Sequence, residues 1–428
     1  MAGGKGTRLQ SISKDIPKPM FPIDGKPILE YQIETLKKSG ITEVILIVGY
    51  LGNIIQKYFG DGQKFGVKIA YLIEDRPLGT AGALYYLKGN VTEDFVLLFG
   101  DLILDIDFNR FMKFHKNSGG LITLYCHPNA HPYDSDVVIA DEENKVTKIA
   151  LKNLERDFYY HNFVNAGIYC VSPRLLDKIK TAEKTDLEKE LIAGQINEQN
   201  VYAYRSTEYV KDMGTPDRLK AVLTDIRNGI VAGRCLRHKQ KAIFLDFWGP
   251  LNQYAEFLRK MEDFKLLDEM IQAMKEINQS LYLAIAVMNQ PDTAKVSFTF
   301  QELEEASMRI EMELGKQGAY LDDILFYFRS PYKSCEEKII KVKAHEESKS
   351  SKIHMLLRAA EKYNIDFSQS WYISDATTNL LTGIDAGMRT ILVLTDEAEK
   401  NKKYRVAPEY KVTTFLDAIE HIKLIGAN

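Results

Sequence analysis

The run Val44-Ile45-Leu46-Ile47-Val48, entered from Glu43 and closed by Gly49, decides the fold. Five consecutive apolar, mostly β-branched residues bounded by a charge and a glycine predict a short buried strand. Just upstream, residues 27–39 set apolar side chains at helical spacing, so helix and strand alternate as one α/β unit. The same beat recurs at Val67-Lys68-Ile69-Ala70-Tyr71 and at Phe95-Val96-Leu97-Leu98-Phe99, which runs into Gly100-Asp101. Such alternation predicts a largely parallel sheet, and ligands of such sheets gather at the carboxyl ends of the strands. Asp101 is thereby singled out.

Outward from this unit, 428 residues are too many for one core, because single cores stop growing at roughly 250 to 300 residues. The pattern restarts at Ala242-Ile243-Phe244-Leu245, after Arg234, Arg237, His238, Lys239 and Lys241. We expect a first domain over 1–228, a short basic linker over 229–240 and a second domain over 241–428. Strand candidates at 283–287, 370–373 and 390–394, separated by helical stretches, make the second half α/β as well. The Glu-, Lys- and Ser-rich stretch 335–352 reads as an exposed insertion.

Hydrophobic residues make up 45% and charged residues 27%, the balance of a soluble globular protein, and no apolar run approaches the roughly 20 residues that cross a bilayer. The start has no basic segment followed by an apolar stretch, so no secretory signal is read and the cytoplasm is expected. Cys126, Cys170, Cys235 and Cys335 lack the paired spacing of a zinc site and read as buried or idle thiols. A formal net charge of -3 gives no bulk attraction to nucleic acid, so phosphate binding needs a local site.

One candidate is Gly3-Gly4-Lys5-Gly6-Thr7-Arg8-Leu9 followed by Pro17-Lys18-Pro19-Met20. Gly3, Gly4 and Gly6, with Thr7, let backbone amides approach a polyphosphate closely, while Arg8 and Lys18 neutralise it. It is not a P-loop, because no Gly-Lys-Ser/Thr closes it. His127 and His131, in a Pro-rich segment, read as part of a turn rather than a metal pair.

These motifs resemble the signature of the sugar-phosphate nucleotidyltransferases. Further matches follow in the same order: Gly79, Thr80 and Gly82 within Glu74-Asp75-Arg76-Pro77-Leu78-Gly79-Thr80-Ala81-Gly82-Ala83, then Gly100-Asp101, then Asn165-Ala166-Gly167-Ile168-Tyr169, then Asp212-Met213-Gly214-Thr215-Pro216. The resemblance covers the first half of the chain and implies a Rossmann-like sheet whose first strand is missing, since Gly3 follows Met1-Ala2 directly. It implies that Gly79, Thr80 and Gly82 meet the base, that Asn165 and Gly167 meet the sugar, that Lys152 grips the sugar phosphate, and that Asp101 and Asp212 hold Mg²⁺. Leu151 stands where the family has Glu. Carboxylates and cations are needed together when two anions react, because their repulsion must be screened while they are positioned. Arg8 would contact the departing pyrophosphate and Lys18 the charge developing at the α-phosphoryl group.

In the second half, Leu245-Asp246-Phe247-Trp248-Gly249-Pro250-Leu251-Asn252 resembles the opening motif of haloacid dehalogenase-type phosphatases. Asp246 keeps the nucleophile position, but Trp248 occupies that of the general acid/base and cannot transfer a proton. Met288-Asn289-Gln290 lacks the phosphate-binding hydroxyl, and Asp375 is followed by Asn379 where a second carboxylate is expected. The zinc ligands of the related heptose bisphosphate phosphatases are absent. A phosphatase scaffold that has lost its activity is the expectation.

The resemblance therefore implies a guanylyltransferase-like enzyme. It would join a nucleoside triphosphate, with GTP favoured, to a sugar 1-phosphate, with D-glycero-D-manno-heptose 1-phosphate favoured, and would use Mg²⁺. Neither nucleic acid nor membrane is expected as a partner, and a homo-oligomer is left open. Two alternatives stand beside it: a bifunctional protein that still removes a phosphate, and a non-catalytic assembly protein with both sites degraded.

Overall fold

The computed structural model describes residues 1–3, 15–246, 266, 268–289, 299–327, 348–394 and 407–426. They fall into two compact units, Met1–His127 with Asp134–Arg156 and Phe163–Arg237, and Pro128–Tyr133 with Asp157–Asn162 and His238–Asn428.

In the first unit a tight hairpin, β1 (Pro22–Ile23) and β2 (Lys26–Pro27), turns at Asp24-Gly25, both in the left-handed region. It delivers the chain into α1 (Ile28–Lys38), which buries Ile28, Leu29, Ile33 and Leu36 on one face. Next come β3 (Glu43–Val48), α2 (Gly52–Phe59) and β4 (Lys68–Ile73), a right-length α/β crossover that leaves β3 and β4 parallel and in register from Glu43 opposite Lys68 to Val48 opposite Ile73.

The rest of this unit is mixed rather than largely parallel. Its elements are β5 (Phe95–Leu98), β6 (Leu102–Asp105), α3 (Phe108–Ser118), β7 (Ile122–His127), β8 (Val137–Ala140), β9 (Val146–Ala150), β10 (Val164–Val171), α4 (Ala193–Asn197), β11 (Val201–Arg205), β12 (Tyr209–Asp212), α5 (Pro216–Arg227) and α6 (Ile230–Gly233). The eight-residue β10 is antiparallel to β5, β7 and β8, and β11 runs parallel to β7. A direct β8–β9 hairpin explains the difference, since neighbours joined by a short turn must be antiparallel. Separately, β12 lies antiparallel on β6, with Asp212 opposite Leu102.

Among the described residues no strand lies between β3 and β5. Only Met1 and Ala2 bridge them: the Met1 amine donates to Leu98 O (2.7 Å), Ala2 N to Ile47 O (2.7 Å), and Gly100 N to Met1 O (2.8 Å). A cleft of about 710 Å³ extends from this bridge, lined by Leu36, Ile45, Ile47, Val96 and Leu98 among others. β3 therefore departs from the expectation of a fully buried strand. Its last three residues are buried, whereas Ile45 is 40% exposed.

The second unit is a six-stranded sheet whose neighbours are all parallel: β13 (Lys241–Asp246) sits centrally, with β14 (Tyr282–Asn289) and β15 (Asp323–Tyr327) on one side and β16 (Trp371–Ser374), β17 (Arg389–Val393) and β18 (Tyr410–Val412) on the other. Helices α7 (Asp268–Asn278), α8 (Phe300–Lys316), α9 (Ser348–Tyr363), α10 (Thr377–Asp385) and a final one, Phe415–Gly426, accompany it. Its core joins Ile243 and Leu245 to Met270, Met274, Leu314, Ile373 and Ile419. Of the expected insertion over 335–352, residues up to 347 lie outside the described residues, and Ser348 already opens α9.

Candidate functional site

Lys18 opens a single 3₁₀ turn, Lys18–Met20, entered through the extended Pro17 and buried at Pro19 and Met20. Its ammonium meets Asp101 Oδ2 at 2.5 Å. Asp101 sits between β5 and β6, and its carbonyl accepts from Met213 N at 2.9 Å. Because Met213 directly follows β12, this bond and the Asp212–Leu102 register place Asp101 and Asp212 side by side at one end of the β6–β12 ribbon. The fold thus brings together three of the expected residues separated by up to 194 positions.

Asp212 accepts from Gly214 N at 2.9 Å and is ion-paired to the Arg218 guanidinium from the first turn of α5. Burial opposes ionisation of this carboxyl, but Arg218, then Lys18 and the Gly214 N–H, overcome it and hold the pKa below the usual aspartate value. Asp212 is accordingly held as the anion, and both carboxylates are partly exposed. Among the described residues no group of three or more His, Cys, Asp or Glu could hold a metal ion. Two hard carboxylates nevertheless fit Mg²⁺, which is commonly held by one or two carboxylates with water and substrate phosphates completing its shell. Arg218 was not singled out in the sequence. A helix-initial Thr-Pro-Asp-Arg run beginning three residues after Asp212 is the signal that could have found it.

Gly3 lies where the chain squeezes past a neighbouring strand. A Cβ there would displace the Glu74 carboxylate and sit 3.2 Å from Gly49 N, so a larger residue would crowd both. Gly4, Gly6, Thr7 and Arg8 lie outside the described residues. Gly79 takes φ 75° and bridges to Thr185, with Thr185 O only 2.5 Å from where a Cβ would stand. Thr80 Oγ1 accepts from Leu187 N at 2.7 Å, and Ala81 N donates to Thr185 O at 3.0 Å. The Gly79–Gly82 segment is thereby clamped onto residues 183–187.

Lys152 is exposed just after β9, its backbone N donating to Asp136 Oδ1 at 2.8 Å. Asp136 O accepts from Asn165 N at 3.1 Å. Within β10 Asn165 pairs with Cys126, a bulge follows before Tyr169 with Gly167 at φ 72°, and Gly167 N donates back to Asn165 Oδ1 at 3.1 Å. Asn165, Gly167 and Lys152 thus share one neighbourhood.

In the second unit Asp246 ends β13 and is almost completely buried, receiving the Tyr372 hydroxyl (3.1 Å) and the Asn379 amide (2.8 Å). Lys352 in turn donates to Asn379 Oδ1 at 3.1 Å. Burial raises the pKa of Asp246 despite hydrogen bonds from Ser374, Asn379 and Tyr372 and the charge of Lys352. Asp375 is buried at the start of the β16–α10 turn, and Asn289 ends β14. Trp248 and the Asn289 side chain lie outside the described residues. Of the cysteines, Cys126, Cys170 and Cys235 are buried thiols, with burial raising each, Cys170 to about 12. His131 N donates to Asn129 Oδ1 at 2.9 Å beside the 3₁₀ turn Pro132–Asp134. No helix among the described residues is long and apolar enough to cross a membrane.

A family model for nucleotidyl transferases matches residues 1–229, and one for HAD-hydrolase-like proteins matches residues 350–418. Mannose-1-phosphate guanylyltransferase of Mycobacterium tuberculosis is 30% identical over 240 residues, which is 55% of this chain and 66% of that protein. Mannose-1-phosphate guanyltransferase beta-A of Xenopus laevis is 33% identical over 220 residues, 50% of this chain and 60% of that one. The chain therefore spans less than two thirds of the length of these relatives. A crystal structure of HddC from Yersinia pseudotuberculosis is 25% identical, covering 53% of this chain and 96% of that one with a TM-score of 0.45. Since the transferase model takes in more than half of the 428 residues, the chain belongs to the nucleotidyl transferase family.

Proposed function

We propose that this protein transfers a nucleotidyl group from a nucleoside triphosphate, GTP first, to a sugar 1-phosphate, heptose 1-phosphate first, and releases pyrophosphate. The observation that carries the reading is the convergence of Lys18, Asp101 and Asp212 at one end of the β6–β12 ribbon. A phosphate oxygen of the sugar 1-phosphate attacks the α-phosphorus, a new P–O bond forms, and the bond to the β-phosphate oxygen breaks with its electron pair. Lys18 would turn from Asp101 to the α-phosphoryl oxygens, where negative charge is redistributed in the transition state. Asp101 and Asp212 would hold Mg²⁺, which would screen the two reacting anions. Gly79, Thr80 and Gly82 would seat the base, Arg8 the pyrophosphate, and Lys152, Asn165 and Gly167 the sugar phosphate. The guanylyltransferase names of the relatives support GTP; heptose rests on the family resemblance of the sequence.

We further propose a transferase domain over 1–228, a linker over 229–240 and a silent phosphatase-like domain over 241–428. Asp246 supports that silence: a nucleophilic carboxylate must be ionised, whereas burial raises the pKa of this one despite hydrogen bonds from Ser374, Asn379 and Tyr372 and the charge of Lys352.

The test is pyrophosphate release by the full chain, with GTP, ATP, CTP, UTP and dTTP each set against heptose, mannose and glucose 1-phosphates in Mg²⁺. GTP with heptose 1-phosphate is expected to give the highest kcat/KM; no release above the sugar-free control for any pair ends the transferase reading in favour of a non-catalytic role. The same preparation given heptose 1,7-bisphosphate should release no phosphate, and release that Asp246→Asn abolishes would restore the bifunctional alternative.

A further inference from the structure

The proposed sugar end of the site contains a carboxylate that no motif announces. Residues Leu187–Ile192 form one turn of π-helix, an uncommon geometry that is frequent at functional sites. The turn is capped by Asp186, whose side chain accepts from Glu188 N (3.0 Å) and Lys189 N (2.9 Å). This lifts Glu188 off the regular helical path and aims it at β10. Its Oε1 accepts from both Asn165 Nδ2 (2.7 Å) and the hydroxyl of the fully buried Tyr169 (2.6 Å). Among the described residues no donor meets Oε2.

Asn165 is consequently fixed in rotamer. Its amide nitrogen points at Glu188 and Tyr169, and its Oδ1 is held by Gly167 N. Asp136 stands beside it, bonded through its carbonyl to Asn165 N and through its carboxylate to Lys152 N. The neighbourhood therefore offers carboxylate acceptors beside the exposed ammoniums of Lys152 and Lys189. A molecule with several hydroxyls and one phosphate matches that set, the hydroxyls donating to carboxylates and the phosphate meeting Lys152.

Resting on the transferase reading above, we propose that Glu188 is a specificity-determining residue: Oε2 accepts a hydrogen bond from a ring hydroxyl of the sugar 1-phosphate, while Oε1 holds Asn165 in position to meet the same ring. Burial, reinforced by the charges of Asp136 and Asp186, raises the Glu188 pKa against the Tyr169 hydrogen bond. A hydroxyl donor relieves an anion so placed, and a sugar lacking that hydroxyl leaves it without compensation. Sites of this kind reject the deoxy analogue strongly, because the loss falls on a desolvated polar group.

The test uses the full chain and Glu188→Gln, which conserves shape and replaces one acceptor oxygen by a donor. With mannose 1-phosphate and GTP, the variant should raise the sugar-phosphate KM by about 10-fold or more, with the GTP KM changed less than about 3-fold. Wild type should discriminate against one monodeoxy mannose 1-phosphate by at least about 10-fold, and the variant should lose that preference. Unchanged sugar KM and unchanged deoxy discrimination overturn the proposal. So does an equal rise in both KM values with a lowered Tm, which marks a structural role alone. If wild type releases no pyrophosphate with any pair, the transferase reading itself has failed. Calorimetric binding of mannose 1-phosphate still decides Glu188 in that case: weaker binding by the variant keeps the assignment, and equal or absent binding in both proteins ends it.

Discussion

Asp101→Asn is expected to lower pyrophosphate release by about 10²- to 10³-fold while leaving the melting temperature within about 2 °C of wild type. The two halves of this expectation have separate causes. Asp101 is about one-third exposed and among the described residues its ion pair is with Lys18, itself 17% exposed, and ion pairs open to solvent contribute under about 1 kcal/mol to stability. The charge nevertheless lies beside Asp212, where two strand-end carboxylates and Lys18 converge. Asparagine keeps the shape and removes the anion, so Mg²⁺ would lose a charged ligand and Lys18 its resting partner. Rates measured over a Mg²⁺ titration, beside a thermal melt, give both halves. Full rate in the variant would show that the metal assignment is wrong.

The largest effect on stability is expected from Glu208→Ala. Glu208 is 2% exposed and takes four donors: the backbone N–H of Asp107 (2.7 Å) and of Leu236 (2.9 Å) on one oxygen, the Tyr125 hydroxyl (2.9 Å) and Ser206 hydroxyl (3.0 Å) on the other. Burial still raises its pKa, so the four bonds only partly offset desolvation. Alanine would leave all four donors inside the protein without an acceptor. Orphaning buried groups of this kind costs roughly 3 to 5 kcal/mol, or about 10 °C in Tm for a unit of this size. Glu208→Gln, which retains one acceptor oxygen, should fall between. A calorimetric scan of the full chain that shows Glu208→Ala melting within about 3 °C of wild type would mean that water or backbone movement satisfies those donors.

What could be read in advance follows from the range of each interaction. Strand β3, helix α1 and the core strands of the second unit announce themselves through contiguous apolar or periodic residues, a signal written within ten positions. Lys18, Asp101 and Asp212 could be named because each is embedded in a local motif, although their meeting depends on strand pairing over long separations. Glu188 gave no such sign. In Asp186-Leu187-Glu188-Lys189-Glu190 it reads as one charge on a solvated face, and its role arises from a π turn and from Asn165, 23 residues away. Glu208 was hidden for the same reason, its partners lying up to 101 positions distant. The mixed direction of the first sheet was also illegible, because apolar runs reveal strands but not which way a neighbour points.

The membership of Pro128–Tyr133 and Asp157–Asn162 in the second unit has a consequence for synthesis. His161 Nδ1 lies 2.7 Å from the completely buried Glu311 carboxylate, and Asn162 N donates to the same oxygen at 3.3 Å. On a ribosome these two segments emerge some 150 residues before the helix that receives them. They must wait, unsatisfied, for most of the remaining chain to be made. Severing the polypeptide after Arg237 would therefore leave both segments stranded in the amino-terminal fragment, and the halves of this protein are better regarded as maturing together than as beads that can be cut apart.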